Sequence, residues 1–190
     1  MAIYPNETVK TIMERRSIRR YKSQQISEHD LDCVIKCGLY APSARNTQNW
    51  HFTVIQNAGL ISRMNDAIKE NMPPEAITLY KERQGGRDDF SVFYNVPTLV
   101  LISGDANDIF TDSNCGYAVQ NMCLAAQSLG VASIIIGMAS LLFSTSKASD
   151  YAKEFSIPDG YKPLYAVGFG YADMHAEAPE RIEGKITYIK

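Results

Sequence analysis

The sequence predicts an α+β fold, and three observations carry that prediction. Stretches with apolar residues at helical spacing intermix with short runs rich in β-branched and aromatic residues. The strands are too few and too unevenly spaced for a doubly wound sheet. Proline or glycine closes several of the helical stretches.

In chain order, residues 7–16 form a first helix with Val9, Ile12 and Met13 on one face. A basic segment, Arg15-Arg16-Ser17-Ile18-Arg19-Arg20-Tyr21-Lys22, follows at its exit. Ser27 with Asp30 three residues on is a variant of the capping box and opens a second helix. Leu31, Val34, Ile35 and Leu39 keep its period and Pro42 stops it. Residues 41–49 form a polar loop, and residues 50–55 alternate as a strand. A third helix over 59–71 ends before Pro73-Pro74. The polar stretch 72–92, centred on Gly85-Gly86, carries a short helix near 76–83. Residues 98–103 read as a strand, and 112–129 as the clearest helix, with Gly130 as its stop. That helix has few charges, which predicts burial on both faces. A strand or strand-to-loop over 131–138, a helix over 145–155, a strand over 164–169 and an extended tail over 185–189 complete the chain.

Composition narrows the function. The 190 residues suit a single domain able to bury a substantial core without disulfides. With 19 basic and 21 acidic residues no overall field favours nucleic acid or a membrane surface, so any cationic feature is local. Met1 to Pro5 show no basic segment followed by an apolar run, and the most apolar stretch, 131–143, is too short for a bilayer and is broken by Gly137 and Ser140. Cys33, Cys37, Cys115 and Cys123 form no C-x-x-C and have no histidine at partnering distance, so they read as reduced core thiols of a cytoplasmic protein and no metal site is expected. His29, His51 and His175 read as surface or structural side chains.

Three segments carry candidate chemistry. Arg15-Arg16-Ser17-Ile18-Arg19 offers guanidinium forks and a hydroxyl, the donors that a dianionic phosphate needs. The same residues also read as a solvated basic patch complementing a helix C-terminus. Pro42-Ser43-Ala44-Arg45-Asn46-Thr47-Gln48-Asn49-Trp50 presents small and amide-bearing residues to the edge of a planar heterocycle, or equally serves as a helix–strand turn. In Ile134-Ile135-Ile136-Gly137-Met138 the glycine lets backbone approach a ring face, or simply ends a strand.

Together the segments E-R-R-S-I-R-R-Y, A-P-S-A-R-N-T-Q-N-W, D-S-N-C-G-Y-A-V-Q-N-M-C-L-A-A-Q-S-L-G-V-A-S with I-I-I-G-M, and G-F-G-Y with P-E-R-I closely resemble the nitroreductase family, in the right order over nearly the whole chain. The resemblance implies a single nitroreductase-like α+β domain over 1–190, with a mixed central sheet flanked by helices and assembled as an intertwined homodimer with FMN at the interface. It implies that Arg15, Arg16, Ser17 and Arg19 grip the FMN phosphate and ribityl chain, with Arg181 reaching the phosphate. Pro42, Ser43, Ala44 and Asn46 would line the isoalloxazine, and Ile136 and Gly137 would supply a backbone donor near flavin N5. The family's Q-P-W reads Gln48-Asn49-Trp50 here, and a contact to the pyrimidine edge is left open among Asn65, Lys69 and Asn71.

The resemblance further implies ping-pong transfer from NAD(P)H through the flavin to small acceptors such as nitroaromatics or quinones. The flavin carries that chemistry, so no catalytic side chain is expected. It also implies a variable, mobile, lid-like segment at 72–92 that sets acceptor choice, and a tail at 181–190 able to pair across the dimer. The competing readings are a specialised relative in reductive dehalogenation or flavin breakdown, and a non-catalytic flavin-binding sensor. Nucleic-acid binding through residues 15–22 is disfavoured by the flat overall charge.

Overall fold

A computed structural model describes residues 5–190; Met1–Tyr4, and with them most of the segment read as lacking a signal sequence, lie outside the described residues. Four strands, β1 (Trp50–Ile55), β2 (Thr98–Asp105), β3 (Ala132–Ile136) and β4 (Tyr161–Gly170), form one sheet in the order β1-β2-β4-β3. Six α-helices surround it: α1 (Glu7–Glu14), α2 (Glu28–Leu39), α3 (Ala58–Lys69), α4 (Pro74–Glu82), α5 (Thr111–Ser128) and α6 (Ala148–Glu154).

The sheet is antiparallel at every strand pair rather than mixed. The α5 connection carries the chain from β2 to β3 in the same direction, as in a parallel unit. β4 then inserts between those two strands and pairs antiparallel with both. The one parallel pairing among the described residues is the isolated bridge from Ser17 to Ser133.

β2 is the centre of the molecule, and its alternation explains the two cores. Leu99 and Leu101 face a cluster that includes Met64 and Ile68 of α3, Tyr80 of α4, and Leu142 and Phe155. Val100 and Ile102 face a second cluster with Val34 of α2 and Cys115, Ala118, Val119 and Met122 of α5. A strand covered on both faces needs unbroken apolar character, and T-L-V-L-I-S provides it. α2 lies close against α5 because Gly38 has no side chain; a Cβ there would overlap the side chain of Met122.

Helix starts follow local chemistry. Asn6, Ser27 and Asn57 cap α1, α2 and α3 by accepting from the amides of Val9, Asp30 and Leu60. Gly130 sits at φ 73° just beyond α5, where a left-handed residue ends the helix. The strand expected over 131–138 ends at Ile136, and a 3-10 segment, Gly137–Ser144, delays the next helix to Ala148.

Two further expectations are corrected. Within one chain α5 buries a single face, and Tyr117 on its other side is 51% exposed. Its scarcity of charge therefore does not reflect burial all round in this chain. Cys115 and Cys123 are buried as expected, whereas Cys33 and Cys37 are half-buried on α2. Residues 181–190 form no strand and leave Ile182, Ile186, Tyr188 and Ile189 exposed. Among the described residues no helix is long and apolar enough to cross a membrane.

Candidate cofactor site

Arg15 leaves α1 in an extended conformation, and the next residues run along the end of the sheet. The Ile18 amide donates to the Ser133 carbonyl at 3.1 Å, and the Lys22 amide to the Tyr171 carbonyl at 2.9 Å. Ile18, flanked by Ser17 and Arg19, enters the core, and Tyr21 follows it three residues on, which strict alternation would not give; Arg15, Ser17 and Arg19 stay half-buried. Arg16 is fixed by α1 itself, since its Nη1 donates to the carbonyls of Met13 at 2.7 Å and Arg15 at 2.8 Å. These interactions satisfy carbonyls at the helix end and hold part of the guanidinium still.

Arg15, Arg16, Ser17 and Arg19 line one cavity of about 410 Å³ together with Glu177, Pro179 and Arg181. Four guanidiniums thus face a single carboxylate, in a chain whose net charge is −2. Glu177 is itself engaged by His175 at 3.1 Å. The Nε of Arg19 is buried and has no hydrogen-bond partner. A donor set of several guanidiniums and a hydroxyl, with one buried donor unsatisfied, suits a phosphate-bearing ligand.

The 42–49 loop lies elsewhere and is held under strain. Arg45, Asn46 and Gln48 adopt φ of 57°, 56° and 48° around a short 3-10 turn, Ala44–Asn46. For residues other than glycine and asparagine this region costs about 1–2 kcal/mol each, so the surroundings must impose it. They do so through a buried amide network. Asn114 of α5, 1% exposed, accepts from the Ala44 amide at 3.0 Å and donates to Asn49 Oδ1 at 2.9 Å and Thr47 Oγ1 at 3.3 Å. Asn49 in turn donates to Thr111 Oγ1 at 2.8 Å and Asp108 Oδ2 at 3.0 Å. Ser43 Oγ accepts from the Gln48 amide at 3.0 Å. Sequence reading missed Asn49, Thr111 and Asn114 as the residues that position this loop; the one visible signal was their polar character at positions where the helical and strand periods demand burial.

The two predicted halves of the site sit at opposite ends of the sheet. Ser17 bridges Ser133, which lies level with Phe169 and hence with Thr98 at the start of β2. The 42–49 loop enters β1 at Trp50, which is level with Gly104 near the end of β2. Six residues at about 3.3 Å each separate those levels by about 20 Å. Ile136 and Gly137 lie between, three residues or about 10 Å beyond Ser133. The side chain of Ile136 is buried, whereas Gly137 is exposed and a Cβ there would meet nothing within 4 Å. Packing within the chain does not demand glycine at 137. Close approach of something outside it would.

None of Asn65, Lys69 and Asn71 lines the arginine cavity. Asn65 Oδ1 accepts from the Val92 amide at 2.8 Å, Lys69 Nζ stands 4.3 Å from the Phe90 ring centroid, and Asn71 donates to the Ala67 carbonyl. The first two tie α3 to the end of the 72–92 segment. That segment packs inward through Met72, Tyr80 and Phe90, with Tyr80 stacked on Tyr94 at 5.5 Å. Its tip, Gly85 to Asp89, is exposed.

Comparison with known proteins agrees with this architecture. The chain superposes on an FMN-bound nitroreductase from Desulfitobacterium hafniense with a TM-score of 0.89 at 29% identity, covering 98% of this chain and 100% of the other. An FMN-bound nitroreductase from Bacteroides fragilis gives 0.86 at 29%, covering 97% and 100%. Among curated proteins, "Putative NADH dehydrogenase/NAD(P)H nitroreductase" of Archaeoglobus fulgidus is 42% identical over 62 residues, which is 33% of this chain and 36% of that protein. An iodotyrosine deiodinase of Hydra vulgaris is 29% identical over 80 residues, 42% of this chain and 28% of that protein. The matched stretches therefore span only about a third of those curated relatives. The family model described as Nitroreductase family matches residues 12–171, a span that runs from the end of α1 to the end of the sheet, and the chain belongs to that family.

Proposed function

We propose that this chain is an FMN-dependent oxidoreductase that passes electrons from NAD(P)H to small acceptors such as nitroaromatics or quinones. The observation that carries the reading is the convergence of Arg15, Arg16, Ser17, Arg19 and Arg181 on one cavity. FMN, when bound, supplies a ring that takes up a hydride equivalent from the nicotinamide and passes electrons to the acceptor in a separate half-reaction. The chain's own work is to bind and orient. Arg15, Arg19, Arg181 and the free edge of Arg16 hold the phosphate, and Ser17 adds a hydroxyl donor. Each charge-assisted hydrogen bond contributes about 1.5–3 kcal/mol net. Gly137 leaves the backbone after Ile136 open to the ring, and no side chain is assigned an acid or base role.

Pro42, Ser43, Ala44 and Asn46 belong to the ring end of such a site, yet they lie about 20 Å from the arginine cavity along the strand direction. A second copy of the chain is the natural source of that loop. The exposed apolar side chains Ile12, Met13, Tyr40 and Tyr117 support a homodimer, and the exposed, alternating tail at 181–190 supports pairing across it. A monomer by sedimentation with flavin still bound would count against this. The 72–92 segment, as a lid, would set acceptor choice, and grafting another member's segment should change acceptor preference.

A second reading, reductive dehalogenation by the same flavin site, is favoured by the match to the Hydra iodotyrosine deiodinase. Assays with NADH and NADPH against nitro and quinone acceptors separate the two: flavin retention without turnover supports the second. Flavin that neither nicotinamide reduces points instead to a non-catalytic binder. The primary test is Arg16→Ala, measured as release of FMN and of riboflavin. Loss of FMN affinity by about ten-fold or more with riboflavin little changed is expected, because only FMN carries the phosphate. Equal losses for both flavins would sink the phosphate assignment.

A further inference from the structure

A second cavity, of about 500 Å³, opens on the other side of Arg19. Four arginines line it, Arg19, Arg20, Arg83 and Arg87, with Asp89 as the one acidic residue. Their partners are unevenly shared. Arg87 is held by both oxygens of Asp89, and Arg20 by Asp173, whose carboxylate lies at 3.4 Å and whose carbonyl accepts at 2.6 Å. Arg83 and Arg19 pair with no carboxylate among the described residues. Both act on the same phenol. Burial pushes Tyr80 well above the ordinary tyrosine range, while the positive charges of Arg83 and Arg19 pull it back. Two guanidiniums that face one concave space without a counter-charge repel each other, and an anion between them removes that repulsion. Tyr94 and Asn95 also line the cavity, whereas the Gln84 amide is engaged by the carbonyls of Tyr80 and Ser91 and by the Ser91 amide.

The cavity is separate from the phosphate cradle, since Arg15, Ser17 and Arg181 line only the first. Arg19 borders both, so an occupant of the second lies one side chain from the first. Arg83 comes from the C-cap of α4, inside the segment expected to act as a lid. We propose that this second cavity binds the acidic group, carboxylate or phosphate, of the small molecule that exchanges electrons at the flavin, with Arg83 as a specificity-determining residue. The inference rests on the functional reading above and adds a substrate class to it: anionic rather than neutral. The anion belongs either to the acceptor or to the 2′-phosphate that distinguishes NADPH from NADH.

The test compares the flavin-loaded wild-type protein with Arg83→Gln and with Arg83→Glu. Arg83 is exposed at a helix end, so both variants should fold, and circular dichroism checks this. Calorimetric titration uses 4-nitrobenzoate and the uncharged 4-nitrobenzamide, and steady-state assays give KM for NADPH and NADH. If the acceptor carries the anion, Arg83→Gln weakens 4-nitrobenzoate by about ten-fold, the loss of one charge-assisted hydrogen bond, and leaves 4-nitrobenzamide unchanged. If the donor carries it, KM for NADPH rises by a similar factor while that for NADH does not. Arg83→Glu should exaggerate whichever effect appears. The proposal is overturned if the wild type discriminates neither pair, or if both variants leave both discriminations intact. FMN content, read from the visible spectrum, reports separately on the flavin reading. Should the protein prove unable to hold FMN, titration of the flavin-free chain still reads the cavity, and absence there of any preference both for 4-nitrobenzoate over 4-nitrobenzamide and for NADPH over NADH overturns the proposal as well.

Discussion

Replacing Asn114 by alanine should uncouple the strained 42–49 loop from the helix that shapes it. The Ala44 amide can only donate, so the Asn114 oxygen must face it, and the two N–H groups are then committed to Asn49 and Thr47. Truncation strands the Ala44 amide and the Asn49 oxygen. Asn49 is buried, and each stranded buried group costs about 1–3 kcal/mol. Thr47 is exposed and turns to water. The higher helix propensity of alanine returns roughly 0.5 kcal/mol. The net expectation for the two groups is a loss of about 1.5–5.5 kcal/mol, read as a lower urea midpoint with unchanged slope at fixed protein concentration. Asn114→Asp is the sharper control. It keeps an acceptor for Ala44 but sets oxygen against oxygen at Asn49, so it should not restore the loss. A decrease below about 1 kcal/mol for Asn114→Ala, or full recovery in Asn114→Asp, would refute the reasoning that this network holds the loop.

Two further outcomes are expected. Gly137→Ala should leave folding stability within about 0.5 kcal/mol, because the added Cβ meets no atom within 4 Å; it should nonetheless weaken FMN retention, and equal retention would remove Gly137 from the site. Burial pushes the Cys115 thiol up to about 11, with the negative charge of Asp112 adding to it. The unfolded thiol ionises near 9, so the stabilisation from keeping it neutral is whole below that pH and is lost as pH rises from 9 toward 11. Denaturation midpoints of wild type and Cys115→Ala, compared between pH 8 and 10, should converge as the pH rises; a constant difference would contradict this.

How much of the molecule was legible follows from what each feature depends on. β1 was read at residues 50–55 and stands there, because alternation with β-branched residues is a local signal. The start of α2 at Ser27 was legible for the same reason: its hydroxyl meets the Asp30 amide three residues on. The Arg15–Arg19 cluster was legible because its guanidiniums and hydroxyl stand within five residues, although it was read at the exit of a helix to residue 16, whereas α1 ends at Glu14 and Arg15 is already extended. The antiparallel sheet was not. Whether β3 neighbours β2 or β4 is decided by where the last strand inserts, which no local pattern states. The Asn49–Asn114 pair was equally hidden, since its members stand 65 residues apart and either one alone reads as ordinary turn or helix chemistry. Arg45 and Gln48 carry no sequence mark of their left-handed backbone, because the network around them imposes it.

The separation of the two motifs, by contrast, was written in the sequence and could have been drawn from it. Between the arginine segment and the 42–49 loop stands α2, a twelve-residue helix. Twelve residues at about 1.5 Å each make a rod of about 18 Å, close to the roughly 20 Å that the strand register gives between the two ends of the sheet. A rigid rod between two ligand-binding motifs holds them apart, and here the return is taken by β1 only after the second motif has passed. Under the proposed function, a site that uses both motifs would be completed by another chain. The same logic accounts for the apolar side chains left exposed on α5 and α1: Tyr117, Ile12 and Met13 are costly to leave in water, and a partner that brings the missing loop would also be one that covers them.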